Sequence, residues 1–115
     1  MDGSKMTLEP LMQDLVKKFN EKVDTDEKLS TELDGMDKKV LIDLVSEQYN
    51  FHLHDQRISD FQVGTILNPD ITLLSDPETF QAIIEGKMKP MKAFALRKVR
   101  VKGEIDDLLR LRKLF

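Results

Sequence analysis

Two histidines, His52 and His54, are the side chains of this sequence whose type and spacing come nearest to a metal site. They are the only histidines in 115 residues, and they stand two apart where apolar and polar residues alternate. Residues two apart on a β-strand point to the same face of a sheet, so both imidazoles would lie on one side. Such a pair holds a metal ion only with a third ligand, for which Asp55 and Asp60 are nearby carboxylates. We expect exposed histidines without a metal, and a metal site is the alternative.

The rest of the sequence carries no recognisable catalytic motif. Cysteine is absent, which excludes disulfides, thiolate metal ligands and cysteine nucleophiles. Glycine-rich phosphate-binding loops, the HExxH zinc motif and the GxSxG nucleophile motif are also absent. The protein is therefore not expected to be an enzyme or to need a cofactor. A small hydrolase or metal enzyme that uses His52, His54 and neighbouring carboxylates remains as a third hypothesis.

The charges are unevenly distributed along the chain. Eighteen acidic and eight basic residues precede Lys87, whereas ten basic and three acidic residues follow from Lys87 onward. Seven of these cations lie between Gly86 and Gly103 with no acidic residue among them. This pattern is typical either of contact with an anionic partner or of a solvated basic face. Nucleic acid is not the expected partner, because the basic block has few aromatic residues that could stack on bases.

Composition and hydrophobic spacing indicate a single soluble domain. At 13.3 kDa, with 40% apolar and 34% charged residues, the chain has the make-up of one globular unit covering residues 1–115. No apolar run approaches the roughly 20 residues of a membrane span. Residues 1–10 lack the apolar centre of a signal peptide, so we expect a cytoplasmic protein.

The first two thirds of the chain divide into a helical and a strand-rich part. Residues 1–36 are predicted to be a helical segment, because apolar residues recur every three or four positions from Leu8 to Val23. Residues 37–74 are predicted to be a meander of four short antiparallel strands, because apolar and polar residues alternate there.

Helical periodicity returns in residues 75–115. Two short helices are predicted first, and the spacing of Ser75 and Glu78 predicts a capping box with Ser75 at the helix start. A fifth strand is expected at Lys98–Lys102, where basic residues alternate with valine. A final leucine-rich helix is expected over Glu104–Phe115.

The order of residues from Asp70 onward resembles that of a known family. Three runs carry the resemblance, together with Phe80: Asp70-Ile71-Thr72-Leu73-Leu74-Ser75-Asp76, Gly86-Lys87-Met88-Lys89-Pro90-Met91-Lys92-Ala93-Phe94, and Lys98-Val99-Arg100-Val101-Lys102-Gly103. In this combination, the segment from Asp70 to about Leu114 resembles the sterol carrier protein type 2 family, the nonspecific lipid-transfer domain. The N-terminal helix and the first strands agree with that family only in their pattern.

This resemblance implies an α+β fold in which helices cover one face of a five-stranded, mostly antiparallel sheet. It also implies an apolar tunnel between sheet and helices. The tunnel would hold a fatty acyl chain, a fatty acyl-CoA, a sterol or a phospholipid, and the stand-alone domain would not be an enzyme. The alternative is an interaction or accessory domain that keeps the fold but closes the cavity.

The predicted lining of the tunnel comes from the C-terminal part, whose helices offer more apolar surface than a cover of the sheet requires. The predicted lining residues are Phe80, Ile84, Met88, Met91, Phe94, Leu108, Leu111 and Phe115. The predicted membrane-contact residues are Lys87, Lys89 and Lys92. Their cations would attract an anionic bilayer weakly and reversibly, which suits a carrier that must leave the membrane again.

Three features depart from the family pattern. Arg97 stands where many members have glycine, and arginine resists the positive φ that glycine accepts, so we expect a different turn before Lys98. Arg112 stands where glutamine is common, which favours an anionic head group over a sterol. The chain ends Lys113-Leu114-Phe115 and not in a Ser-Lys-Leu type of signal, so a peroxisomal location is not expected.

Overall fold

The computed structural model describes residues 7–107. The chain begins there with two helices that meet at one capping residue. Helix α1 spans Glu9–Thr25 and helix α2 spans Glu27–Glu32. Between them, the Asp26 carboxylate accepts a hydrogen bond from the N–H of Leu29 at 3.1 Å. An aspartate with extended backbone is a favoured N-cap, so the chain can end α1 and start α2 at the same residue.

Five strands form one mixed sheet. They are β1 (Lys38–Asp43), β2 (Gln48–His54), β3 (Arg57–Val63), β4 (Ile71–Leu74) and β5 (Arg100–Lys102). Their order across the sheet is β3-β2-β1-β4-β5, and every pair is antiparallel except β1 with β4. The predicted α+β fold with a mostly antiparallel five-stranded sheet is therefore confirmed.

Strand β4 does not continue the meander that was predicted for residues 37–74. Strands β1 to β3 form the meander, and β4 then pairs with the other side of β1. The outer edge of β3 is occupied by Asn20 of α1. Its amide donates to the Ile58 carbonyl at 2.9 Å and accepts from the Ile58 N–H at 2.8 Å. These bonds use the edge that a further strand would need, so β4 adds to the free edge of β1.

One face of the sheet forms the hydrophobic core. Val40 and Ile42 of β1 are buried on this face, and Ile42 lies opposite Tyr49 of β2. Met12 of α1 is fully buried in the same core. The Tyr49 hydroxyl donates to the carboxylate of Glu47, so the polar end of this buried ring is satisfied. Helix α1 thus covers the apolar face of the meander.

Two further short helices, α3 (Pro77–Ile84) and α4 (Pro90–Ala95), follow β4. The predicted capping box at Ser75 is wrong, because Asp76 is the N-cap of α3. The Asp76 carboxylate accepts hydrogen bonds from the N–H and the hydroxyl of Thr79, both at 2.8 Å. The Ser75 N–H bonds to the Asp43 carbonyl at 3.0 Å, which extends the sheet by one residue and moves the helix start.

Helices α3 and α4 end in the same backbone motif but with different residues. Gly86 has φ 78° at the end of α3, and Arg97 has φ 60° at the end of α4. The expectation of a different turn at Arg97 is therefore wrong. Its N–H bonds to the Phe94 carbonyl at 3.0 Å and the Lys98 N–H bonds to the Ala93 carbonyl at 2.9 Å, as in a Schellman motif. These bonds hold arginine in the left-handed conformation.

Candidate functional site

Two of the predicted lining residues lie on α3 and belong to the core region. Phe80 is only 7% exposed and is a member of the core, and Ile84 is half-buried against that core. The two residues are four apart, so they share one side of the helix. Leu73 of β4 and Val101 of β5 are paired across the sheet and are half-buried against the same core. The β4 and β5 end of the sheet therefore has an apolar margin that is incompletely covered within residues 7–107.

Three more predicted lining residues lie on α4 and the segment before it. Met88 and Phe94 are half-buried, whereas Met91 is 48% exposed. Leu96, at the end of α4, is 52% exposed, and Ala93 is fully buried. Helix α4 therefore rests on the domain through a small residue and presents large apolar side chains that residues 7–107 leave uncovered.

The predicted membrane-contact residues surround the same helix. Lys87, Lys89 and Lys92 are all exposed. The ammonium of Lys87 lies 3.2 Å from a carboxylate oxygen of Glu85. The pKa of Glu85 is lowered by the hydrogen bond from Gln81 and then by Lys87. Part of the charge of Lys87 is thus balanced locally, and the exposed cations Lys89 and Lys92 lie on the same segment.

The last three predicted lining residues, Leu108, Leu111 and Phe115, lie outside the described residues. The residue just before them, Asp107, is buried and forms an ion pair with Lys38 at 3.1 Å. The hydrogen bond to Asp107 raises the pKa of Lys38 above its ordinary value. Since Lys38 begins β1, this ion pair holds residue 107 beside the start of the central strand.

Two cavities formed by residues 7–107 lie away from α3 and α4. The first has a volume of about 380 Å³ and is lined by Lys39, Asn50, Phe51, His52, Asp60, Gln62, Ile66 and Leu67. The second has a volume of about 370 Å³ and is lined by residues 34–37 and 54–56. The tunnel predicted between the apolar face and the C-terminal helices includes residues 108–115 and stays a prediction.

The two histidines lie together on the polar face of the sheet. Their rings stack with centroids 4.0 Å apart and an angle of 24° between planes. His52 Nε2 lies 2.5 Å from Asp37 Oδ1, and this hydrogen bond lowers the pKa of Asp37. His54 contacts the Ser59 hydroxyl through Nε2 at 2.8 Å and the Asp55 carboxylate through Nδ1 at 3.1 Å. Both side chains are half-buried, so they are less exposed than predicted.

A bulge in β3 brings Asp60 to these histidines. Ser59 pairs with His52 and Gln62 pairs with Asn50, so β3 has two residues between these pairs where β2 has one. Asp60 takes the left-handed conformation, with φ 56°. Ligand atoms of His52, His54 and Asp60 all lie within 4.8 Å of one another. The sequence signal for this bulge is the broken alternation from Ile58 to Phe61, where two polar residues separate the apolar ones.

Comparison with known families decides the assignment. The model of the SCP-2 sterol transfer family matches residues 7–115. The chain belongs to this family. The resemblance of residues 70–114 to the sterol carrier protein type 2 family is thereby confirmed, and the match includes the N-terminal helix and the meander.

Solved structures with the SCP-2 fold are similar to this family member at low identity. Palmitated SCP2L2 from Aedes aegypti has a TM-score of 0.59 and 18% identity, over 86% of this chain and 88% of that chain. The sterol carrier protein domain 2 of Helicoverpa armigera has a TM-score of 0.62 and 18% identity, over 88% and 82%. At this identity the likeness concerns the fold.

A further SCP-2-like neighbour is an enzyme. The sec-alkylsulfatase Pisa1 from Pseudomonas sp. has a TM-score of 0.54 and 17% identity, over 69% of this chain. The match spans only 13% of the sulfatase chain. Comparison with curated protein sequences gives no match. Membership in the SCP-2 family supports lipid binding or transfer in general.

No helix within residues 7–107 of this family member has both the length and the apolar composition needed to cross a bilayer.

Sequence reasoning missed the contacts that join distant segments of the chain. The Asn20 amide on Ile58 and the ion pair of Lys38 with Asp107 join residues 38 and 69 positions apart. Neither pair has a local signal, because its partners meet only after the sheet has formed.

Proposed function

We propose that this protein binds a lipid through its fatty acyl chain and carries it between membranes without catalysing a reaction. The observation that carries the proposal is the gradient of apolar exposure along α3 and α4. Phe80 is buried, Ile84 and Met88 are half-buried, and Met91 is nearly half exposed. An apolar path from core to surface is what an acyl chain needs for entry. The palmitated state of SCP2L2 from Aedes aegypti supports an acyl ligand.

The proposed acyl site has enough binding energy available. Moving a sixteen-carbon chain from water into an apolar tunnel yields about 0.8 kcal/mol per CH₂, or roughly 12 kcal/mol before losses. Ordering of the chain and lost freedom take back part of this free energy. Micromolar binding requires only about 8 kcal/mol, so one acyl chain is sufficient. Burial of area discriminates poorly between similar chains, and we therefore expect broad ligand selectivity.

The proposed tunnel is lined by both described and undescribed segments of the chain. The described lining residues are Phe80, Ile84, Met88, Met91 and Phe94, and the others are Leu108, Leu111 and Phe115. Arg112 would favour a ligand with an anionic head group, because a guanidinium binds carboxylate or phosphate through two parallel hydrogen bonds. A free fatty acid or an acyl-CoA is therefore preferred over a sterol.

The proposed carrier docks on anionic membranes through the cations around α4. Lys87, Lys89 and Lys92 would each contribute about 1 kcal/mol at most near an anionic bilayer. This attraction is screened by salt over about 10 Å at moderate ionic strength, so contact is reversible. A cytoplasmic location is part of this proposal, since anionic lipids are abundant on the cytoplasmic leaflet.

The binding half of the proposal is tested with Met91→Glu. Met91 is 48% exposed, so a carboxylate there should not disturb the core but should meet the entering chain. We expect fatty-acid affinity to fall about tenfold or more, which equals roughly 1.4 kcal/mol or more. Leu67→Glu is the matched control, because Leu67 is 89% exposed and lies away from α4. Equal affinity of the two variants would contradict an entry at α4.

The transfer half is tested by changing Lys87, Lys89 and Lys92 together to glutamate. We expect transfer from anionic vesicles to slow to the rate seen with neutral vesicles, while fatty-acid affinity in solution stays nearly constant. The matched control changes Lys17, Lys18 and Lys22, three exposed cations of α1. If native mass spectrometry finds no lipid on the purified protein, and the protein also binds no added fatty acid, an interaction domain with a closed cavity is favoured instead.

A further inference from the structure

The polar face of the sheet carries a side-chain cluster that lipid binding does not use. His52, His54 and Asp60 converge there, with ligand atoms within 4.8 Å of one another. Ligands that each sit about 2.0–2.2 Å from a zinc ion are at most about 4.4 Å apart. Small side-chain rotations would therefore bring all three groups onto one ion. The cluster borders the cavity of about 380 Å³, which leaves space for further ligands.

We propose that His52, His54 and Asp60 form a binding site for a late first-row divalent metal ion, with Zn²⁺ as the first probe. Two imidazoles with one carboxylate suit zinc, nickel or cobalt better than magnesium or calcium, which prefer oxygen ligands alone. Three protein ligands leave coordination positions open to water or to a small anion. The site lies on the face opposite the buried Val40 and Ile42, so it is independent of the lipid proposal.

The residues around the cluster hold the ligands in place. Asp37 contacts His52 Nε2 and leaves Nδ1 of that ring available for a metal. A carboxylate on the second ring nitrogen fixes the tautomer and the orientation of a ligating histidine. His54 must give up one of its two contacts, and the one with Asp55 is easily replaced because that carboxylate is 88% exposed.

The bulge in β3 fixes the third ligand. Asp60 adopts a left-handed backbone conformation that aspartate tolerates better than most residues. Bulges of this kind re-aim side chains next to functional sites. Lys39 opposes the metal, because it is paired with His52 across the sheet and lines the same cavity. Its charge should lower the affinity, so Lys39→Met should bind Zn²⁺ more tightly than the parent.

The test follows the imidazole nitrogens by ¹⁵N NMR while ZnCl₂ is added to the whole protein. The chain has only two histidines, so two imidazole spin systems report the site without ambiguity. We expect both to shift with Zn²⁺ and neither to shift with Mg²⁺. Titration calorimetry should then show at least a tenfold loss of affinity in His52→Gln, in His54→Gln and in Asp60→Asn. Zn²⁺ affinity should fall about ten- to a hundredfold in Asp37→Asn, as it does when the carboxylate that hydrogen-bonds a metal-bound histidine is removed.

Control variants distinguish the loss of a metal ligand from unfolding and from changes in lipid binding. Glu78→Gln removes an exposed carboxylate on α3 and should leave Zn²⁺ affinity unchanged. The double variant His52→Gln/His54→Gln should still bind fatty acid, and Met91→Glu should still bind Zn²⁺. If millimolar Zn²⁺ leaves both imidazoles of the parent unshifted, or if the double variant binds Zn²⁺ as tightly as the parent, the site does not exist. The parent titration decides the question even if a variant fails to fold.

Discussion

The two faces of the sheet are made from the same strands but carry different chemistry. On β1, Val40 and Ile42 are buried on one face, while Lys39, the residue before Val40, is exposed on the other. On β2, Tyr49 is buried on the first face and His52 belongs to the second. Strict alternation serves the buried face, where each apolar residue must point inward. The polar face tolerates an irregularity such as the bulge at Asp60, which a tightly packed core would not.

The largest effect that separates the two faces is expected for core truncation. Ile42→Ala should lower the free energy of unfolding by about 2–5 kcal/mol, because it removes buried methylenes and leaves a cavity. Lys39→Ala, three residues earlier on the polar face, should change it by less than about 0.5 kcal/mol. Urea unfolding followed by circular dichroism measures both values. Similar losses in the two variants would mean that the faces are not as different as their burial indicates.

The next largest effect concerns the edge where helix α1 passes from the buried face to β3. Asn20→Ala should destabilise the protein by about 1–3 kcal/mol, because the N–H and carbonyl of Ile58 lose their partners. Asn20→Asp keeps the acceptor and loses the donor, so its loss should be intermediate. Hydrogen exchange of the Ile58 amide should speed up in the alanine variant. An unchanged exchange rate would argue against pairing at this edge.

A smaller and pH-dependent effect is expected at Asp76, which starts the helix that brings Phe80 onto the buried face. Asp76→Ala should cost about 1 kcal/mol at neutral pH. The hydrogen bond from the Thr79 N–H lowers the pKa of Asp76 below 3.8 in the folded state. The stabilisation is therefore complete above the unfolded pKa and is lost as the pH falls through the lower, folded value.

The control for this pH dependence is Asp76→Asn, which can cap the helix but does not titrate. Its stability difference from Asp76→Ala should stay constant between pH 7 and pH 2, which roughly brackets the ordinary aspartate pKa. Thermal unfolding across this range provides the comparison. A parent curve that parallels the asparagine curve at every pH would remove Asp76 as the titrating cap.

The smallest expected effect sharpens the contrast between stability and function on the polar face. Asp60→Gly should raise the free energy of unfolding by up to about 1 kcal/mol, because glycine accepts the left-handed backbone at φ 56° without strain. The same change should weaken Zn²⁺ binding by removing the carboxylate. Arg97→Gly is the matched control: it should give a similar gain at the end of α4 and leave Zn²⁺ binding unchanged. A loss of stability in both variants would show that these positions are not strained.

Much of the fold was predictable because its signals are local. The three- and four-residue spacing of apolar residues placed α1, and alternation placed the strands. The order of the strands was not predictable, since the parallel pairing of β4 with β1 depends on which edge of the sheet is free. The misplaced cap of α3 shows the same limit. Ser75 and Asp76 are both good N-caps, and a sheet hydrogen bond from Ser75 to Asp43 selected Asp76.

The candidate sites divide in the same way. The spacing of His52 and His54 by itself determined that both imidazoles share a face, because side chains on a strand repeat every two residues. The order of residues from Asp70 to about Leu114 likewise indicated the family, which the match of residues 7–115 confirms. Only the tertiary structure decided that a bulge brings Asp60 to the histidines and that Asp107 meets Lys38. The amino-acid sequence determines which residues share a face of a helix or strand, because that depends only on their spacing. The contacts between distant segments depend on how these faces pack, and only the complete fold determines the packing.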